Sequence, residues 1–216
     1  MGIMATETIE APQTTESEWS SFDHLGLSAE VLKSVRDAGY VTPTPIQAQA
    51  IPLVLRGRDV MGLAQTGTGK TAAFTLPIVD RLLDGPRRTR ALVLTPTREL
   101  CVQVEESVHK YARHSELSVV SVYGGVPLDP QQKKLRAGVD IVVATPGRLI
   151  DHLERQNVVF DDLEVLVLDE ADRMLDMGFA PQINRIVAQV PTYRQTLLFS
   201  ATMPPEVEAL ARKYLR

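Results

Sequence analysis

Eight consecutive residues, Ala64-Gln65-Thr66-Gly67-Thr68-Gly69-Lys70-Thr71, combine two glycines, a lysine and three hydroxyls in a spacing that suits a polyphosphate. Gly67 and Gly69 permit backbone angles that turn successive N–H groups inward around an anion. Gln65, Thr66, Gly67, Thr68 and Gly69 form the cradle, Lys70 can reach the β- and γ-phosphates, and the Thr71 hydroxyl can ligate Mg²⁺. Ala64 stands where the general pattern has its first glycine. Far downstream, the apolar run Val165–Leu168 ends in Asp169-Glu170-Ala171-Asp172. Asp169 can hold Mg²⁺ through its water shell, and Glu170 can orient or deprotonate an attacking water. Each motif alone has a plainer reading, a glycine-rich turn or acids at a helix start. As a pair they specify a reaction class, hydrolysis of a nucleoside triphosphate.

Such residues need elements that carry them to one edge. Short apolar runs predict strands at Val60–Leu63, Ala91–Thr95, Ser118–Tyr123, Ile141–Ala144, Val165–Leu168 and Thr196–Ser200. Amphipathic stretches predict helices near 70–83, 97–113, 129–137, 147–155, 180–190 and 204–215. Two more precede them, one capped by Ser28 and stopped by Gly39, the other starting at Pro45 and ending before Gly57. Continuous Val/Leu/Ile runs mean strands buried on both faces, and the alternation with helices implies a doubly wound, mostly parallel α/β sheet with helices on both faces. Ligands of such sheets bind beyond the carboxyl ends of the strands, where both motifs fall.

Composition agrees with one packed domain. The chain has 216 residues, 44% of them hydrophobic and 23% charged. No apolar run approaches the ~18–20 residues of a membrane span. The net charge of −4 argues against a protein that coats nucleic acid through bulk positive charge. That acidity sits in residues 1–21, which hold Glu7, Glu10, Glu16 and Glu18 and no Lys or Arg. This stretch is expected to be a disordered acidic tail, with the domain occupying 22–216. Cys101 is the single cysteine and is expected to be a buried helix residue in a protein of the reducing cytoplasm. The four histidines show no metal-ligand spacing.

From Phe22 onward the chain resembles the amino-terminal RecA-like domain of the DEAD-box ATP-dependent RNA helicases, whose name Asp169-Glu170-Ala171-Asp172 spells. Upstream, Gly39-Tyr40-Val41-Thr42-Pro43-Thr44-Pro45-Ile46-Gln47 resembles the family's adenine-recognising Q motif. The resemblance implies that Gln47 hydrogen-bonds the adenine edge, that Tyr40 offers it an aromatic face, and that Phe22 is the family's isolated upstream aromatic, also at the nucleotide. Ala64 matches the family's own form of the phosphate loop.

Three further segments look like the family's RNA-facing motifs: Pro96-Thr97-Arg98-Glu99-Leu100, Gly124-Gly125 and Thr145-Pro146-Gly147-Arg148. By that resemblance Arg98, Gly125, Thr145, Gly147 and Arg148 hold the RNA backbone, with little sequence preference because phosphate and sugar carry no base identity. Ser200-Ala201-Thr202 matches the family's coupling motif, so Ser200 and Thr202 are expected to partner Asp172. The family also implies ATP with Mg²⁺, and a second RecA-like domain, unmatched in this sequence, that supplies arginine fingers. The expected reading is therefore an ATP-binding domain that binds ATP or ADP, contacts RNA, touches no membrane and hydrolyses very slowly alone. Two alternatives stay open: a related DNA helicase or translocase, and a nucleotide-dependent binding module without catalysis.

Overall fold

The computed structural model describes residues 7–10 and 21–216. Among the described residues, seven strands form one all-parallel sheet: β1 (Glu7–Glu10), β2 (Val60–Leu63), β3 (Ala91–Leu94), β4 (Val119–Val122), β5 (Ile141–Ala144), β6 (Val165–Leu168) and β7 (Gln195–Ser200). Their spatial order is β1-β2-β7-β6-β3-β5-β4. The helices are α1 (Ala29–Asp37), α2 (Pro45–Leu55), α3 (Lys70–Leu82), α4 (Arg98–Tyr111), α5 (Leu128–Arg136), α6 (Pro146–Glu154), α7 (Ala171–Asp176), α8 (Ala180–Val187) and α9 (Pro205–Tyr214).

Alternation within each strand divides the core between the two faces of the sheet. Val165, Val167, Ala91, Val93, Leu197 and Phe199 point into one cluster, with apolar residues of α1 to α4. Leu166, Leu168, Leu92, Leu94 and Leu198 point into the other, with residues of α5 to α9. Cys101 is fully buried, its Sγ 3.0 Å from the Thr95 hydroxyl, and burial pushes the thiol up to about 12. It is an inert packing residue.

Two expectations need correction. Glu7–Glu10 lies in the stretch expected to be disordered, yet it pairs in parallel with Val60–Leu63. Without it β2 would be a bare edge, and backbone pairing saturates that edge whatever the side chains. The rest of the expected tail lies outside the described residues, apart from Ser21, whose side chain caps a 3-10 turn at Phe22–His24. The second correction is α7, a six-residue helix that opens inside the acidic motif.

The strand order sorts the chemistry. β2, β7 and β6 are neighbours, and their carboxyl ends carry the phosphate loop, Ser200-Ala201-Thr202 and Asp169-Glu170. β3, β5 and β4 are neighbours, and they carry Pro96–Leu100, Thr145–Arg148 and Gly124-Gly125. One sheet edge thus has two halves that meet between β6 and β3.

Candidate functional site: a phosphate loop beside an acidic strand end

The loop leaving β2 turns at Gly67 (φ +85°) and Gly69 (φ +89°), angles that disfavour any side chain. Gly69 then caps α3, so the helix opens at Lys70 with its positive dipole end toward the loop. Lys70 is buried, and its Nζ finds no hydrogen-bond acceptor among the described residues. A buried ammonium without a partner is costly unless an anion completes it.

Gln47 ties α2 to this loop. Its Nε2 donates to the Gly69 carbonyl at 3.2 Å, and its Oε1 accepts from the Thr44 N–H at 3.0 Å. The second bond is half of a capping box at the start of α2. The carboxamide expected to read adenine therefore also fixes the last residue before Lys70.

At the end of β6, Asp169 is 3% exposed and Glu170 adopts a left-handed backbone (φ +50°) rare for a residue with a side chain. The Glu170 N–H folds back onto the Asp169 carboxylate at 3.0 Å. Burial pushes the Asp169 carboxyl up to about 6, opposed by the Lys70 charge and reinforced by Glu170 and Asp172. Arg173, one turn along α7, donates to the Glu170 carboxylate at 3.3 Å. Sequence reasoning missed Arg173 together with its helix, although Ala171, Met174 and Leu175 have helical spacing.

Ser200 and Thr202 do meet Asp172. The Asp172 Oδ2 accepts from the Thr202 N–H at 3.0 Å and its hydroxyl at 2.8 Å, while the Asp172 N–H donates to the Ser200 hydroxyl at 3.3 Å. Thr66, Lys70, Thr97, Glu170, Asp172, Arg173 and Ala201 are among the residues around one cleft of 590 Å³. Thr71 and Asp169 offer only a hydroxyl and a carboxylate, and no group of three His, Cys, Asp or Glu among the described residues could enclose a metal. That sparse oxygen set fits Mg²⁺, which keeps waters and takes further oxygens from bound phosphates.

The aromatics sit differently from expectation. Phe22 is 3% exposed and belongs to the core, stacked on Tyr40 with centroids 6.4 Å apart. It supports Tyr40 and presents no open face of its own. Tyr40 also packs at 6.1 Å against Tyr111, and their hydroxyls lie 3.2 Å apart.

On the other half of the edge, Thr97 caps α4 by accepting from the Leu100 N–H at 3.3 Å, and the Arg98 guanidinium lies 5.1 Å over the Tyr123 ring. Gly125 takes φ +80°, and a Cβ at Gly124 or Gly125 would meet nothing within 4 Å, so that turn faces open space. Thr145 immediately precedes α6, without a side-chain capping bond, and the helix begins at Pro146 and carries Gly147 and Arg148. Arg148 departs from a free phosphate ligand, because its NH1 donates to the Val126 carbonyl at 3.0 Å and its side chain is 13% exposed.

A glycine-rich loop feeding a helix, facing acids at a neighbouring strand end of a parallel sheet, defines a P-loop nucleotide-binding domain of the RecA-like class. Comparison with known proteins narrows the class. The profile described as "DEAD/DEAH box helicase" matches residues 44–210, and the chain belongs to that family. The chain is 48% identical over 195 residues to the DEAD-box ATP-dependent RNA helicase CshA of Streptococcus pneumoniae, covering 90% of this chain and 37% of that protein. It is 49% identical over 198 residues to the ATP-dependent RNA helicase DeaD of Escherichia coli, covering 91% and 32% respectively. A third relative, the DEAD-box ATP-dependent RNA helicase 30 of Arabidopsis thaliana, is 50% identical over 200 residues, covering 90% and 34%. The chain spans about a third of the length of these relatives.

Proposed function

We propose that this chain is the ATP-binding half of an RNA helicase core, in which ATP hydrolysis drives local unwinding of RNA. The observation that carries the reading is the buried Lys70 ammonium at the amino end of α3, which has no hydrogen-bond acceptor among the described residues and lies in one cleft with Glu170. In this reading the loop amides of Gln65–Gly69 and Lys70 hold the triphosphate, and Tyr40 and Gln47 hold the base. Thr71 and Asp169 hold Mg²⁺, which when bound neutralises charge on the β- and γ-phosphate oxygens. Glu170 takes a proton from the attacking water. Arg98, Gly125, Thr145 and Gly147 hold the RNA backbone, with Arg148 at the rim of the same surface. Asp172, Ser200 and Thr202 couple the nucleotide site to the rearrangement of bound RNA, through the contact between the ends of β6 and β7.

Arginine fingers from a second RecA-like domain belong to the working enzyme in this account. Such a finger is worth roughly 10³–10⁵ in rate, so this chain by itself should turn ATP over very slowly. A cytoplasmic location is part of the reading, and no helix among the described residues is long and apolar enough to cross a membrane. The test is ATP turnover by this chain with and without single-stranded RNA. Slow turnover with retained adenine-nucleotide binding is expected, and RNA-stimulated turnover at rates of about 1 per second or more contradicts it.

A further inference from the structure

Behind the Gly124-Gly125 turn runs a buried polar chain that nucleotide chemistry does not use. Gln131 is 6% exposed, although Asp129, Lys133, Lys134 and Arg136 of the same helix are solvated. Burying a carboxamide is unfavourable unless its bonds are made, and here both ends are engaged. Its Nε2 donates to the Tyr123 carbonyl at 3.0 Å. Its Oε1 accepts from Arg148 NH1 at 3.3 Å and from His152 Nε2 at 3.1 Å. The same Arg148 nitrogen donates to the Val126 carbonyl. The carbonyls on either side of the glycine pair are thus held by two side chains that also hold each other.

The next residues fix the direction of these bonds. His152 is fully buried, and burial, with the Arg148 charge adding to it, lowers its pKa, so the ring is neutral. Its Nδ1 accepts from the Asn157 amide at 2.9 Å, which leaves the proton on Nε2 to be donated to Gln131. Asn157 is held in turn by Arg136 Nε, which donates to its carbonyl oxygen at 3.0 Å. With Arg148 and His152 both donating, only one orientation of the Gln131 amide is satisfied. On the other side, the Tyr123 ring carries the Arg98 guanidinium.

We propose that Gln131 is a positioning residue for nucleic-acid backbone binding, fixing the Gly124-Gly125 turn against Arg148 and, through Tyr123, against Arg98. Three loops from β3, β4 and β5 then present their phosphate contacts at one spacing before RNA arrives, which removes an ordering cost from binding. The proposal rests on the RNA reading above and adds a residue outside the segments that carry it. An aliphatic side chain would fill the same space but leave the Tyr123 carbonyl and the His152 N–H without partners.

The experiment compares Gln131→Leu, Gln131→Glu, Arg98→Ala and a core truncation on α8, Ile186→Val, with the unaltered chain. The affinity of each for a labelled single-stranded RNA and for a fluorescent ADP is measured, beside its melting temperature. Gln131→Leu should weaken RNA about 10-fold, and Gln131→Glu, which keeps an acceptor for Arg148, by about 3-fold. ADP affinity should stay within about 2-fold for both, as for Ile186→Val, which should not shift RNA affinity either. If Gln131→Leu fails to fold, Gln131→Glu carries the comparison. Unchanged RNA affinity in folded Gln131 variants, with Arg98→Ala weakened, overturns the role of Gln131 alone. Equal losses of RNA and ADP affinity overturn it too, because a general loosening would do that. No RNA binding by the unaltered chain, or none lost in Arg98→Ala, overturns the RNA reading and this proposal with it.

Discussion

Asp172 and Thr202 are joined twice: one carboxylate oxygen accepts both the backbone N–H and the hydroxyl of Thr202, at 3.0 and 2.8 Å. The pair links the acidic end of β6 to the loop that leaves β7. Burial alone would raise the Asp172 carboxyl, but the bonds from Thr202, Arg173 N–H and Ser200 outweigh it and hold the carboxyl below its usual range.

The sign of that shift gives the first prediction. A depressed carboxyl stabilises the fold fully above the unfolded value of about 3.9, and that stability is lost as pH falls through the lower folded value. Thr202→Ala removes one of the two Thr202 bonds, so the Asp172 carboxyl should titrate nearer its ordinary value in an NMR carboxyl titration. The accompanying loss of stability at pH 7 should be about 1 kcal/mol, and melting at pH 3 should differ less between variant and parent than at pH 7.

Gln47 has two partners within the protein, so its removal should reach further than the base. Gln47→Ala frees the Gly69 carbonyl and unties the start of α2. Calorimetric titration should show tripolyphosphate, which has no adenine, weakened about 3- to 10-fold. If tripolyphosphate affinity is untouched while ATP weakens, Gln47 acts on the base alone.

Asp169 is a carboxylate buried among Lys70, Glu170 and Asp172, an arrangement suited to a cation and unfavourable to the fold without one. Asp169→Asn keeps an oxygen for the Glu170 N–H and removes the charge. The variant should melt higher than the parent at pH 7, by about 1–3 kcal/mol of stability, while losing Mg²⁺-dependent tightening of nucleotide binding. Thermal melts with and without Mg²⁺-ADP check both halves.

Much of this was legible in the residues, for identifiable reasons. β2 to β7 lie on their apolar runs because a parallel strand buried on both faces admits little else. The phosphate loop is legible because its glycines, lysine and hydroxyl must be contiguous to encircle an anion. Glu7–Glu10 is illegible because its pairing is a backbone property, and α7 because six residues give fewer than two helical turns. Phe22 illustrates another limit: its position marks an aromatic but not which face it buries. The bond from Gln131 to Arg148 joins residues 17 apart on different helices, and no local pattern records such a meeting.

The cleft between Lys70 and Glu170 is proposed above to be an adenine-nucleotide site. Calorimetric titration of this chain with Mg²⁺-ADP tests it most directly, with Lys70→Ala beside it. Saturable one-to-one binding at micromolar to sub-millimolar concentration is expected, weakened at least about 10-fold by Lys70→Ala. Absence of binding, or affinity unmoved by Lys70→Ala in a folded variant, would contradict it.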